Sequence, residues 1–242
     1  MIVRAARTAA ARILLSRPAA AAIDAATGKR PASSGGLRVD LRHPHVTPRT
    51  RAAVQWRRYE RDEIRLIRRW LPSDTDVVEL GAGLGVTGAH ILDRIDPNRR
   101  LVAVELDPAS VDVLNTTLAD PRAEVVNAAI DYSGIEVAAD ISSSVLHSRV
   151  GAGSGPRVTG LTLAGLLDTR RIGEYALVCD IEGAEADLAV HDAAALDRCR
   201  LIIVETHGYH DQTLTREGTL AALTGLGFTV AASEGRSYAL AR

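Results

Sequence analysis

Residues 76–88 read DVVELGAGLGVTG: an apolar run with an acidic residue, Glu79, one step from its end, then Gly81, Gly83 and Gly85 at alternate positions, then small and apolar residues suited to a helix. A strand that turns through glycines into a helix brings bare backbone close to a ligand, because glycine accepts left-handed torsions and leaves space where a β-carbon would stand. The pattern continues outward as strand–helix alternation. LVAVEL (101–106), AEVVNAAI (123–130), ALVCDI (176–181) and LIIVET (201–206) read as strands two to five. A helix near 213–226 precedes two short strands, FTVAASE and SYALAR, separated by Gly235 and Arg236. Near-continuous apolar strands predict a doubly wound parallel α/β sheet covered on both faces. A closing hairpin makes the last strand antiparallel to its neighbour.

The chain has 242 residues, 46% hydrophobic and 24% charged, which rules out wholesale disorder and suffices for one large domain or two small ones. A formal charge of −1 conceals a division. Residues 1–70 hold 16 Lys/Arg against 5 Asp/Glu, and residues 71–242 hold 13 against 25, so a +11 segment precedes a −12 body. Of the 29 basic residues only Lys29 is a lysine, and no G-x-x-x-x-G precedes it, which excludes a Walker-type phosphate loop and disfavours Schiff-base chemistry. Cys179 and Cys199 form no C-x-x-C pair and adjoin apolar runs, as buried free thiols in a reducing compartment do. No apolar run is long enough to span a bilayer. The first residues are Arg-rich, acid-free as far as Asp24, and lack the apolar core of a secretory signal. They formally resemble a mitochondrial transit segment, but an Arg/Ala-rich amphipathic helix has the same composition, and the expected compartment is the cytoplasm.

Residues 1–30 read as an Ala-rich helix interrupted at Pro18, and 31–49 as a Pro/Gly/Ser linker. Thr47-Pro48 starts a helix expected to run to about Leu71, with Ala53, Trp56, Ile64, Ile67 and Leu71 on its apolar stripe and Glu60 on the same line. The expected division is a basic helical extension or cap over 1–71 and a catalytic domain over 72–242. Residues 131–165, rich in Ser and Gly, read as a lid or substrate loop.

Two cofactor chemistries compete for the glycine turn. A dinucleotide fingerprint can be read at Gly83, Gly85 and Gly88, with Glu105 at the distance of a ribose ligand. That register leaves Glu79 beside a pyrophosphate, which repels it. S-adenosyl-L-methionine carries a cationic amino acid and a sulfonium and no phosphate, so an acidic residue followed by G-x-G-x-G suits it. Glu79 then lies near the methionine end, and Gly81, Ala82, Gly83 and Gly85 lie under the adenosyl group. Glu105 and Leu106, at the tip of the second strand, meet the ribose, and Asn127 and Ala128 flank the adenine.

VVELGAGLGVTGAHI, VAVELDP and VVNAAIDYSG resemble the first three strand motifs of class I methyltransferases. Leu161-Thr-Leu, Leu167-Asp168, ALVCDIEGAEADLAV and LIIVETHG are similar to the FkbM-type O-methyltransferase family, in which a D-x-E-G-x-E segment ends strand four and an E-x-H-like segment ends strand five. The resemblance covers roughly Tyr59 to Arg242. It implies a seven-stranded Rossmann-like sheet, S-adenosyl-L-methionine as cofactor, and methylation of hydroxyls on sugars, glycolipids or polyketide-type products. Two departures are tolerable for cofactor binding: Glu79 stands where the family commonly has Asp, and GAGLG where GANIG is usual. The basic segment 1–50 lies outside the shared core.

Methyl transfer is an in-line displacement, so an acceptor hydroxyl must be aligned and its deprotonation assisted by a base or a metal. Asp180 and Glu182 follow strand four, and Glu205 and His207 follow strand five. A spacing of two turns the members of each pair to the same side. Asp180 is expected nearest the transferred methyl and His207 is the second candidate base. Glu182 and Glu205 would orient the acceptor or help to hold a divalent cation, although nothing in the spacing demands a metal. Plainer readings exist for each: Asp180 or Glu182 as the cap of the next helix, Glu185 as decoration of its dipole, His207 as a surface histidine, Glu60 as an arginine's partner, and His43 and His45 as loop residues. Four ionisable groups converging on one face tip the balance toward a site. A NAD(P)-dependent oxidoreductase would want a Tyr-x-x-x-Lys pair, which a chain with Lys29 alone lacks. A catalytically silent binding module would not need Glu79, Gly81, Gly83 and Glu105 together. Only 3% aromatic residues and no N/D-P-P-Y motif speak against nucleic acid, leaving a small-molecule or carbohydrate acceptor. The +11 arm could cap the acidic body, form a homodimer interface, or recruit an anionic acceptor or membrane surface; the apolar face of its last helix favours the cap.

Overall fold

The computed structural model describes residues 16–27, 32–43, 46–134, 136–140, 149–151, 155–181, 183–207 and 216–242. The chain begins with α1 (Arg17–Thr27), an antiparallel hairpin of β1 (Ala32–Ser34) and β2 (Leu37–Val39), and the helices α2 (Pro48–Gln55) and α3 (Arg61–Trp70). The alternating body follows as β3 (Asp76–Leu80), α4 (Val86–Arg94), β4 (Leu101–Glu105), α5 (Pro108–Thr117) and β5 (Ala123–Ile130). After β6 (Glu136–Asp140), β7 (Arg149–Gly151) and β8 (Arg157–Leu161) come α6 (Leu163–Thr169), β9 (Tyr175–Cys179), α7 (Glu185–His191), α8 (Ala193–Leu196) and β10 (Cys199–Glu205). The described chain closes with α9 (Arg216–Gly225), β11 (Thr229–Glu234) and β12 (Ser237–Ala241).

The main sheet has the order β11-β12-β10-β9-β3-β4-β5-β8-β6-β7. Its seven expected strands are all present. The central five are parallel, and β12 enters antiparallel between β10 and β11. Successive residues of the central strands point to opposite faces. Val78, Leu80, Val102, Val104, Leu177 and Ile202 pack with α6, α7, α8 and Phe228 on one side. Val77, Leu101, Ala103, Val178 and Ile203 pack with Leu66, Ile67 and Leu71 of the α3 region and with α4 and α5 on the other. This is a Rossmann-like doubly wound α/β fold. Chain order reverses beside β3, whose neighbours are β4 and β9, and a ligand crevice belongs at the carboxyl ends of strands at such a point.

Three expectations are corrected. The sheet has ten strands because parts of 131–165 pair rather than loop: β8 joins β5 in parallel, and β6 and β7 continue antiparallel beyond it. Within 31–49, the short hairpin folds onto α4. The single helix expected from 48 to 71 is two, because Arg57 and Glu60 adopt left-handed torsions (φ 53° and 47°) between α2 and α3. Hydrophobic periodicity runs through this break, so sequence spacing does not reveal it. The break leaves Trp56 46% exposed instead of on the apolar stripe, and it buries Tyr59. The proposed N-cap of α2 is as expected: Thr47 Oγ1 accepts from the Thr50 amide at 3.1 Å. Both cysteines are buried free thiols.

Candidate active site

Gly81, Gly83 and Gly85 all take left-handed torsions (φ 82°, 53° and 77°). The most demanding is Gly81. Asp180 donates its amide to the Leu80 carbonyl at 2.9 Å, and the ends of β3 and β9 approach so closely that a β-carbon on Gly81 would stand 1.8 Å from the Asp180 carbonyl oxygen. Gly81 and Ala82 both donate amides to the Val104 carbonyl at 3.0 Å, which ties the turn to β4. Glu105, at the end of β4, accepts the Gly83 amide on Oε2 and the Asp107 amide on Oε1, each at 2.7 Å. Burial raises its pKa, and the two amides partly offset that. Asn127 donates Nδ2 to the carbonyls of Glu105 at 2.8 Å and Leu106 at 3.2 Å, and Ala128 is buried beside it in β5. The tips of β3, β4 and β5 therefore bring together the glycine turn, Glu105, Leu106 and Asn127.

Glu79 lies beneath the turn and is 1% exposed. Thr87 Oγ1 donates to its Oε1, while Oε2 lies against Gly88, whose backbone amide also favours the charged form, and has no well-aligned hydrogen bond among the described residues. Burial pushes its pKa up to about 7, against the Thr87 bond. Glu60 reaches the same region from the left-handed junction before α3; the Tyr59 hydroxyl and the Thr87 amide support its carboxylate, and its Oε2 has no further partner among the described residues. Burial first, then the negative charges of Glu79 and Asp180, hold the Glu60 carboxyl well above its usual range. The Tyr59 hydroxyl lies 3.7 Å from where a Gly83 β-carbon would be.

The second group gathers around Asp180, immediately after β9. His207, two residues past β10, directs Nε2 to Asp180 Oδ1 at 3.6 Å and to Glu205 Oε1 at 3.9 Å. Its Nδ1 lies 2.9 Å from Glu185 Oε1. Glu185 is buried at the start of α7 and also accepts the Gly183 amide at 3.1 Å. A proton on Nδ1 satisfies Glu185 and leaves Nε2 as the nitrogen that faces Asp180 and Glu205. Arg236, in the β11–β12 turn, pairs with Glu205 at 2.5 Å, and its carbonyl accepts from the Thr206 amide at 3.0 Å. Glu63 of α3 projects a ligand oxygen within 4.8 Å of Asp180 and Glu205. Burial, then the charges of Asp180, Glu60, Glu205 and Glu79, hold its carboxyl well above the usual range.

Glu205, His207 and Asp180 are thus brought together, whereas Glu182 lies outside the described residues, as does His45. The capping alternative for Asp180 is not what forms: the residue at the N-cap of α7 is Ala184 and makes no side-chain cap bond. Glu185 stands in the first turn of α7, as the dipole reading expects, and also holds His207. His43 is buried, with Nε2 3.2 Å from Asp107 Oδ2 and 3.3 Å from Ser110 Oγ. Tyr59, Glu63 and Arg236 were not singled out by sequence spacing. For Glu63 a signal existed: it lies three residues from Glu60 and next to Ile64, so two carboxylates share the core-facing side of a helix.

No protein-family model matches the chain, and no curated protein matches it. Among solved structures it is similar to Aeropyrum pernix fibrillarin in complex with natively bound S-adenosyl-L-methionine, at 14% identity over 70% of this chain and 66% of that one, with a TM-score of 0.42. It is similar to an S-adenosylmethionine-dependent methyltransferase from Aquifex aeolicus at 11% identity over 76% and 90% of the two chains, with a TM-score of 0.43. A third similar structure is the magnesium protoporphyrin IX methyltransferase of Synechocystis with the same molecule bound, at 12% identity over 74% of each chain and a TM-score of 0.41.

Proposed function

We propose that this protein is an S-adenosyl-L-methionine-dependent methyltransferase that methylates a hydroxyl group on a small-molecule or carbohydrate acceptor. The observation that carries this reading is the lining of the crevice at the β3 tip: three left-handed glycines, with buried carboxylates behind them and Glu105 locked onto Gly83. A pyrophosphate there would face Glu60, Glu79 and Glu105. A nearby sulfonium and ammonium favour the ionised form of these buried carboxyls and a pyrophosphate opposes it, so the group suits a cationic, phosphate-free ligand. When bound, S-adenosyl-L-methionine supplies an activated methyl group. The chain supplies the rest. Glu105 offers a carboxylate held by two amides to a ribose diol, and Asn127 braces the strand tips beside an adenine. Asp180 lies where the reacting centres meet. His207, oriented through Nδ1 by Glu185, takes the proton of the acceptor hydroxyl on Nε2. The Glu185–His207 contact gives the FkbM-type reading a concrete role for the last Glu of D-x-E-G-x-E. Residues 1–71 act as the cap over a catalytic domain at 72–242, and the two buried thiols favour a cytoplasmic setting.

The test is a panel of hydroxylated acceptors assayed with radiolabelled methyl donor. The reading expects label on at least one acceptor and a loss of ~100-fold or more in kcat for His207→Ala. Full turnover in that variant would remove His207 from the reaction. A panel without label while NAD binds would favour an oxidoreductase.

A further inference from the structure

We infer that Glu63, Asp180 and Glu205 form a site for a hard divalent cation of the Mg²⁺/Mn²⁺ class, with the α3 segment contributing a ligand from outside the alternating body. Three elements converge. Glu63 comes from α3, Asp180 follows β9 and Glu205 ends β10, with one carboxylate oxygen from each within 4.8 Å of the others. Around an octahedral Mg²⁺ or Mn²⁺ with bonds of about 2.1 Å, adjacent oxygens stand about 3.0 Å apart and only one pair of three can be trans at about 4.2 Å, so the three side chains must draw inward to close on the cation. Three carboxylates are hard donors, which select this class over thiophilic metals.

A cluster of acids is common without any ion, and the side chain that points to a ligand is Glu63. It is 2% exposed and, among the described residues, its Oε1 has no hydrogen-bond partner, although the side chain faces two further carboxylates. A buried carboxylate oxygen without a donor is costly, and helix packing alone would favour an apolar residue there. A cation between the three groups removes both the missing partner and the mutual repulsion. The surroundings also suit a metal centre. Arg236 grips Glu205 Oε1 at 2.5 Å, the kind of outer contact that orients a ligating carboxylate. His207 Nε2 lies 3.6 Å from Asp180 Oδ1, next to where a water or an acceptor oxygen on the cation would be. The site itself stands apart from the cofactor assignment. Its role, lowering the pKa of an acceptor hydroxyl so that His207 can remove the proton, rests on the methyltransferase reading.

The experiment titrates the full chain, stripped with a chelator, with Mn²⁺ alone, followed by calorimetry and by paramagnetic broadening of the His207 imidazole resonances. The expected result is one Mn²⁺ per chain, selective broadening of His207, and at least ~tenfold weaker binding in both Glu63→Gln and Glu205→Gln. S-adenosylhomocysteine, titrated in chelator, reports separately on the cofactor reading and on the integrity of each variant. Mn²⁺ binding without S-adenosylhomocysteine binding would uphold the metal site and sink the methyltransferase role. No Mn²⁺ binding at millimolar concentration, or wild-type binding in both variants, would overturn the site.

Discussion

At Gly81 a β-carbon would stand 1.8 Å from the Asp180 carbonyl oxygen, and that oxygen is backbone, so the two strand tips themselves must separate. Gly227, after α9, has an equally left-handed φ of 92° but nothing within 4 Å. The contrast yields a prediction: by urea unfolding, Gly227→Ala costs about 1 kcal/mol and Gly81→Ala roughly 3 kcal/mol or more, the latter with loss of cofactor affinity. Glu79 supplies a second prediction. Its pKa is about 7 folded and 4.5 when exposed, so the folded state holds the proton more tightly; the resulting stability is complete below pH 4.5 and is lost as pH rises through 7. The gap corresponds to about 3 kcal/mol. Glu79→Gln should therefore gain on the wild type in melting temperature between pH 5 and pH 8, and a pH-independent difference would refute the assignment. The glycines and Glu79 were legible in the sequence because torsional need and residue type coincide there. Glu63 was less so, since its meaning depends on which strand tips α3 lies against.

At the scale of elements, the β1–β2 hairpin is pinned through His90 of α4. Ser34 Oγ lies 3.0 Å from His90 Nε2, and Arg68 of α3 donates to Nδ1 at 3.3 Å, which makes Nε2–H the donor to Ser34. Burial and then Arg68 lower the His90 pKa to about 4 from 6.5. Protonation would remove the Nδ1 lone pair that accepts from Arg68 and set two cations against each other beneath the hairpin, so the stabilisation is present above pH 6.5 and is withdrawn progressively as pH falls toward 4. Hydrogen exchange over 32–39 should rise from pH 7 to pH 5, corrected for intrinsic rates, while β4 and β9 keep their protection. Unchanged protection of the hairpin would show that His90 does not hold it. The central strands were readable from composition because both faces are buried and the chemistry is nearly uniform along each. The α2–α3 break was not, because two left-handed residues, Arg57 and Glu60, carry no sequence mark comparable to a glycine. The strands within 131–165 were hidden for a related reason: they extend an edge of the sheet, and their residues include few of the apolar runs that marked the centre.

For the whole molecule, the division of charge at residue 70 does not by itself bind the two parts together. Arg65 pairs with Glu234 at 3.2 Å, but both side chains are largely in solvent. Ile67 is fully buried among Val77, Ala103, Val178 and Ile203. Arg65→Ala should accordingly cost about 0.5 kcal/mol and fade in high salt, whereas Ile67→Ala should cost roughly 3 kcal/mol at any ionic strength. Comparable losses would return the docking of α3 to electrostatics. The acidity of the body has a local counterpart: Glu60, Glu63, Glu79, Glu105, Asp180, Glu185 and Glu205 gather at one end of the sheet, and two of them come from the basic third of the chain. Composition alone showed the sign of each part, but only the placement of α3 against β10 and β12 shows that the basic segment contributes carboxylates to the acidic centre. The central claim is that this centre and the glycine turn receive a cationic, phosphate-free cofactor. Calorimetric titration of the chelator-treated protein with S-adenosylhomocysteine and, separately, with NAD tests it most directly. The account predicts one S-adenosylhomocysteine bound per chain and no heat with NAD; saturable binding of NAD with none of S-adenosylhomocysteine would contradict it.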